Sequence, residues 1–272
     1  MDLVGRVIVV LAWIAFFSCT SEEKEVVNPD GGGGGGGIDT IMADVKVSKK
    51  VLIEDYVATW CGNCILAIEK SEQADPSVFI PVAIHFLGSA IENDNAIRVA
   101  RENGITSQTT VITDKHTSFN FRKGFNAADF QNKTVVAIAI NSEQRGTAVD
   151  FTIQFKFYAD LSNLRYSAYL LRNGIIAVQR NYQFSGSIYE DSPRTILNFT
   201  HNHVLQDIIL NQSIADAQSV KDNTFDQTHS FNIGTGNIQD FEIVVYVEDQ
   251  SRVFNTQRVH AGQSVNFHEE VE

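Results

Sequence analysis

The chain opens with a short apolar block and then changes its hydrophobic period twice. Val7–Phe17 is 11 uninterrupted apolar residues behind Arg6. A membrane-crossing helix needs about 20, so this block reads as the core of an export signal. Val51–Val57 is β-branched and aromatic, and Phe79–Leu87 repeats that composition; both read as buried strands. Ile65–Ala74 reads as a helix ended by Asp75-Pro76, and Ile91–Asn103 as a helix closed by Asn103-Gly104. Thr109–Thr113 is a third strand, with Asp114-Lys115 as its turn. From Thr134 the period becomes two. Phe151, Ile153, Phe155 and Phe157 alternate with Thr152, Gln154 and Lys156, as on a strand with one wet face. Comparable runs are Val135–Ile140, Leu164–Leu171, Ile175–Tyr182, Val204–Leu210, Ser230–Ile233, Phe241–Val247 and Ser251–Val259. Residues 45–133 therefore read as an α/β domain, and 134–272 as an all-β, antiparallel, immunoglobulin-like sandwich.

Charge sharpens the outline. The 272 residues carry Lys+Arg 21 against Asp+Glu 33, a net charge of -12. Thr20–Asp44 alone holds six acids and one base, or -5, and the first 19 residues are neutral, which leaves -7 for the remaining 228. The folded body is only mildly acidic. Nothing in it could neutralise a run of phosphates, so nucleic acid is excluded as a partner. The same acidic stretch contains seven consecutive glycines, Gly31–Gly37, and cannot bury enough apolar surface to order itself. Residues 20–44 read as a tether that sets a domain roughly 25–30 Å from its point of attachment.

Three cysteines, at 19, 61 and 64, exclude a disulfide-dense scaffold and a four-cysteine zinc site. Phe16-Phe17-Ser18-Cys19 ends the apolar block and resembles the lipobox of bacterial lipoproteins. That resemblance implies a signal over residues 1–19, cleavage before Cys19 and a lipid on its sulfur. An ordinary secretory signal with a chance cysteine is the alternative. The acidic Ser21-Glu22-Glu23-Lys24-Glu25 resembles a surface-export signal of Bacteroidota lipoproteins, and Asp39-Thr40-Ile41 resembles the O-glycosylation pattern of that phylum.

Cys61 and Cys64 lie between a strand and a helix, where a dithiol is reactive. Unpaired N–H groups and the positive helix end favour thiolate there, and the second cysteine can attack a mixed disulfide without backbone movement. Half a metal site and an inert structural disulfide are the competing readings; His85 and His116 are not at ligand spacing from the pair. Trp60-Cys61-Gly62-Asn63-Cys64 resembles the thioredoxin active-site motif with Asn63 in place of proline. The resemblance implies Cys61 as attacking thiolate, Cys64 as resolving thiol and Asp55, six residues before Cys61, as proton acceptor for Cys64. Glu54 falls on the opposite strand face. Trp60, Thr109 and Thr110 would then meet the substrate. The export signal, the Glu-Asp pair and Cys-Gly-Asn-Cys together resemble Bacteroidota lipoproteins related to the twenty-eight-kilodalton outer-membrane antigen, in which a thioredoxin-like domain precedes a β-rich one. One departure stands out. Thioredoxin-like proteins open the strand beside the cysteines with a cis-proline, whereas Gln108-Thr109-Thr110 occupies that place. A non-proline cis bond costs about 2.5–4 kcal/mol, so a trans loop is expected.

The later half offers no phosphate-binding loop, nucleophile elbow or paired carboxylates. His201 and His203 would share a face on a strand, but a hydrogen-bonding pair is the plainer reading, and neither metal nor cofactor is expected. His85 reads as packing at the site's edge. The expected protein is an outer-membrane lipoprotein, surface-exposed or on the inner side of that membrane, held through the lipid on Cys19 and exchanging disulfides with protein thiols. The alternative is a non-catalytic surface-binding lipoprotein whose Cys61–Cys64 bond is structural.

Overall fold

Val51–Val57 is buried at every position, and that burial dictates the architecture: a strand covered on both faces needs a layer above and a layer below. The computed structural model describes residues 47–115 and 117–267. The expected signal, Cys19 and the tether lie outside the described residues, as does His116.

The strands in chain order are β1 (Val47–Ser48), β2 (Val51–Val57), β3 (Phe79–His85), β4 (Thr110–Thr113), β5 (Thr117–Ser118), β6 (Lys133–Thr134), β7 (Val136–Arg145) and β8 (Ala148–Phe157). They continue as β9 (Arg165–Arg172), β10 (Ile175–Arg180), β11 (Thr195–His201), β12 (Val204–Ser213), β13 (Thr224–Asn232), β14 (Phe241–Glu248), β15 (Val253–His260) and β16 (Ser264–Val265). Two helices, α1 (Cys64–Glu72) and α2 (Asp94–Glu102), follow β2 and β3. The second is capped by Asn93, whose side chain accepts from the Ala96 N–H at 2.9 Å.

Eight strands form one mixed sheet in the order β15-β14-β9-β12-β3-β2-β4-β5. β2 and β3 run parallel, β4 is antiparallel to β2, and β12 runs parallel to β3 through the Val204–Ala83 pair. The sheet thus crosses the expected boundary between residues 133 and 134. β3 is buried throughout, so its second edge needs a partner, and the later half of the chain supplies it.

One face of this sheet carries Leu52, Tyr56, Val82 and Ile84 with Tyr169, Leu171, Val244 and Tyr246, covered by Ala96, Val99 and Ala100 of α2. The opposite face packs α1 on Val51, Ile53 and Phe79. Further along that face, Tyr166, Ala168, Leu170, Ile243 and Val245 meet a second, four-stranded antiparallel sheet, β13-β8-β7-β16. The inward row is the alternating Phe151, Ile153, Phe155 and Phe157, all buried. The sandwich is therefore present as two layers, but one layer is an extension of the first sheet.

The hydrophobic pattern caught β13 only in part and missed β11 and the two-residue strands β1, β5, β6 and β16. β13 spans nine residues where the apolar run suggested four at 230–233, because this strand alternates polar with half-buried positions. β11 and β10 make a separate two-stranded ribbon; its inner residues Gln179, Phe199 and His201 are buried while Ile176 and Leu197 face outward.

Residues 45–133 expressed alone would leave the β3 edge unpaired and strip the Tyr56–Ile80 cluster of Tyr169, Leu171, Leu205, Val244 and Tyr246. Such a fragment is expected to show no amide chemical-shift dispersion, while residues 45–272 fold; a dispersed spectrum from the fragment would contradict the shared-sheet account.

Candidate active site

β2 delivers the chain at Val57 into a tight turn. The Cys61 N–H donates to Ala58 O at 3.1 Å, and the Cys64 N–H donates to Cys61 O at 3.2 Å as α1 begins. Cys61 and Cys64 are joined in a disulfide with Cα atoms 5.4 Å apart. Cys64 is fully buried, whereas Cys61 keeps 9% of its surface exposed. Of the two cysteines, Cys61 is therefore the one nearer the surface. Trp60 stands beside it, 52% exposed, its indole N–H donating to Leu87 O at 3.2 Å. Thr59 ties the turn down: its N–H donates to Ser89 Oγ at 3.2 Å, and its hydroxyl accepts from the Ala90 N–H at 3.0 Å.

Thr109 lies against the sulfurs, with Oγ1 at 3.1 Å from Cys61 Sγ and 3.4 Å from Cys64 Sγ. Its φ is 61°, left-handed backbone that a β-branched residue adopts at a strain of about 1–3 kcal/mol. There is no cis peptide bond among the described residues, as expected for Gln108-Thr109-Thr110. Thr110 does not touch the dithiol; its hydroxyl donates to Ser107 O at 3.0 Å.

The ribbon completes the site from far along the chain. Gln179 Nε2 donates to Cys61 O at 3.0 Å, the Arg180 N–H to Thr59 O at 2.7 Å, and the Tyr182 N–H to Gly62 O at 3.3 Å. The Tyr182 ring lies so close to Gly62 that a Cβ there would sit 2.3 Å from a ring carbon. Any side chain at position 62 would push this ring aside. Sequence reasoning missed Gln179 and Tyr182, and no local pattern marks them.

Asp55 and Glu54 diverge as strand alternation requires. Asp55 is buried on the α1 side, and its Oδ1 has no hydrogen-bond partner among the described residues. Burial pushes its carboxyl up to about 7; the Ser71 hydroxyl pulls down, and the Glu72 charge adds to the rise. No hydrogen bond joins Asp55 to either sulfur among the described residues. Glu54 enters a polar cluster on the α2 side, accepting from Tyr169 OH at 3.0 Å and Asn103 Nδ2 at 3.4 Å. Burial raises it too, against the Lys115 charge and the Tyr169 hydroxyl.

His201 and His203 do not share a face. β11 ends at His201 and β12 starts at Val204, so the two flank a turn. His201 is buried with its ring 4.9 Å from that of His85, and burial lowers it to about 4. His203 Nδ1 lies 2.7 Å from Glu242 Oε2 on the other side of the turn. His85 is buried and bonded through Nδ1 to Ser89 Oγ at 3.0 Å, so it braces the Thr59 turn from behind. Among the described residues no group of three His, Cys, Asp or Glu side chains is arranged to hold a metal.

Residues 96–265 match the family model described as outer membrane protein Omp28. The structure is similar to HBP35 of Porphyromonas gingivalis, with a TM-score of 0.57 and 16% identity over 80% of this chain and 76% of that one. A domain of the outer membrane lipoprotein Omp28 from Porphyromonas gingivalis is matched at a TM-score of 0.30 and 15% identity, over 47% of this chain and 89% of that one. No curated protein matches the sequence.

Asp55 gives the site a pH signature. An unfolded aspartate ionises near pH 4, while the buried one holds its proton to about pH 7. Stability is therefore lost as pH rises through that window. Asp55→Asn should remove this slope and stabilise the protein at pH 8 by on the order of 2–4 kcal/mol. Urea denaturation between pH 4 and 8 reads it, and parallel profiles for the two proteins would contradict the assignment.

Proposed function

The chain belongs to the Omp28 family of outer membrane proteins, and from that premise we propose that it is a lipid-anchored thiol–disulfide exchange protein of the outer membrane. Cys19 carries the lipid, residues 20–44 form the tether, and extracytoplasmic protein thiols and disulfides are the partners. The observation that carries this reading is the dithiol at the start of α1, with Cys61 keeping 9% of its surface exposed and Cys64 enclosed. The order strand, Cys-x-x-Cys helix, strand, helix, strand pair, with α1 and α2 on opposite faces, supports a thioredoxin-like first half.

In the reducing direction the Cys61 thiolate attacks one sulfur of a substrate disulfide, and the other substrate sulfur leaves as thiolate. Cys64 passes its proton toward Asp55 and attacks Cys61 Sγ, closing the protein disulfide and releasing the second substrate thiolate. Two electrons pass to the substrate. The reverse sequence oxidises a substrate dithiol. Asp55, held near neutrality by burial, has the proton affinity this role needs. Trp60 and Thr109 border Cys61 where a substrate would lie.

A second reading is favoured by the matched segment, which begins at residue 96 and omits both cysteines. It makes the protein a non-catalytic surface-binding lipoprotein with a structural Cys61–Cys64 bond. Disulfide exchange assays separate the two. Cys61→Ser is expected to abolish exchange, and Cys64→Ser to accumulate a mixed disulfide visible by mass spectrometry. Undiminished exchange in Cys61→Ser would overturn the proposal; a reduction potential below about −300 mV with no exchange in the natural protein would establish the second reading.

A further inference from the structure

Thr109 is held over the dithiol more firmly than a loop residue requires. Its N–H donates to Tyr56 O at 2.8 Å, and Thr110 pairs with Tyr56 at the end of the β2–β4 ladder. The strand that delivers Cys61 therefore also positions the Thr109 hydroxyl, which reaches both sulfurs from a left-handed backbone that a β-branched residue disfavours. Neighbouring contacts over-determine the conformation, as at strained functional residues.

Resting on the exchange reading above, we propose that the Thr109 hydroxyl is a catalytic hydrogen-bond donor to the dithiol, engaged weakly by the disulfide and strongly by the Cys61 thiolate. A disulfide sulfur is a poor acceptor, whereas a thiolate is a charged one, and hydrogen bonds to charged acceptors are roughly twice as strong. The same donor thus favours thiolate over thiol and the reduced pair over the disulfide. Its proton stays on Oγ1 throughout. When Cys61 Sγ gives its electron pair to a substrate sulfur, that negative charge departs on the substrate's leaving sulfur and the Thr109 bond weakens. When Cys61 Sγ is expelled from a mixed disulfide by a substrate thiolate, the bond re-forms.

The test compares reduced full-chain protein with Thr109→Val, which keeps shape and branching but has no donor, and with Thr109→Ser, which keeps the donor. Thiolate absorbance against pH gives the Cys61 pKa, and equilibration with glutathione gives the redox equilibrium. Thr109→Val should raise the thiol pKa by about one unit and move the equilibrium about tenfold toward disulfide, roughly 30 mV. Thr109→Ser should stay close to the natural protein. If Thr109→Val does not fold, Thr109→Gly, which relieves the backbone and also lacks the hydroxyl, must show the same shift. A donor-free variant that titrates like the natural protein, or equal shifts in Val and Ser, would overturn the proposal. These measurements read the thiols and not turnover. A natural dithiol that exchanges with no protein substrate would remove the exchange reading while leaving this comparison decisive.

Discussion

The fold hinges on the pairing of β3 with β12. At that seam the Ala83 N–H donates to His203 O at 2.8 Å, and Val204 sits in register with Ala83. A buried parallel strand with an open edge would leave backbone groups without partners in a dry environment. The seam meets that edge at the one register pair, Val204–Ala83, and joins the first α/β segment to the later strands. It is itself pinned: the His203 N–H donates to Asn173 Oδ1 at 2.7 Å, and the Gly174 N–H donates to Asn202 Oδ1 at 3.1 Å. Because only Asn202 and His203 separate β11 from β12, the ribbon that braces the Cys61 turn is suspended from the same seam.

Two adjacent acids on β2 show how environment divides similar side chains. Glu54 is surrounded by hydroxyls and an amide, with the Lys115 ammonium nearby. Tyr169 and Tyr246 link their hydroxyls at 3.1 Å, and Lys115 Nζ donates to Tyr246 OH at 2.9 Å. This cluster joins β2, β9 and β14 across the centre of the sheet and so contributes specificity to their pairing. Asp55, one residue on, is buried with Oδ1 unpartnered among the described residues and only the Ser71 hydroxyl and the Glu72 charge acting on it. A buried carboxyl so placed is a store for one proton rather than a strut.

Local sequence made the first half legible. Continuous apolar runs marked β2 and β3, the Asn-Gly signal closed α2, and a dithiol between strand and helix marked the site. Asp55 and Glu54 took opposite faces because a strand leaves no other choice. The later strands were visible where one face was greasy, as in β8, and were lost in β13, where half-buried and exposed positions alternate. The division at residue 134 followed a real change in hydrophobic period, but period describes each strand's own faces and not its sheet neighbours. Pairing of β3 with β12 joins positions some 120 apart, and no single-chain pattern carries that information. For the same reason Gln179 and Tyr182 were invisible, and His201 and His203 looked paired although a turn sends them to different surroundings.

The bond from Gln179 to Cys61 spans 118 residues, and contacts between distant positions form slowly because a long loop must close first. In a chain made from its N-terminus the two cysteines emerge well before the ribbon that later encloses them. Until then they are bare to whatever oxidises nascent chains. Closure of the disulfide, whose partners are three residues apart, can thus precede the tertiary structure that shelters it.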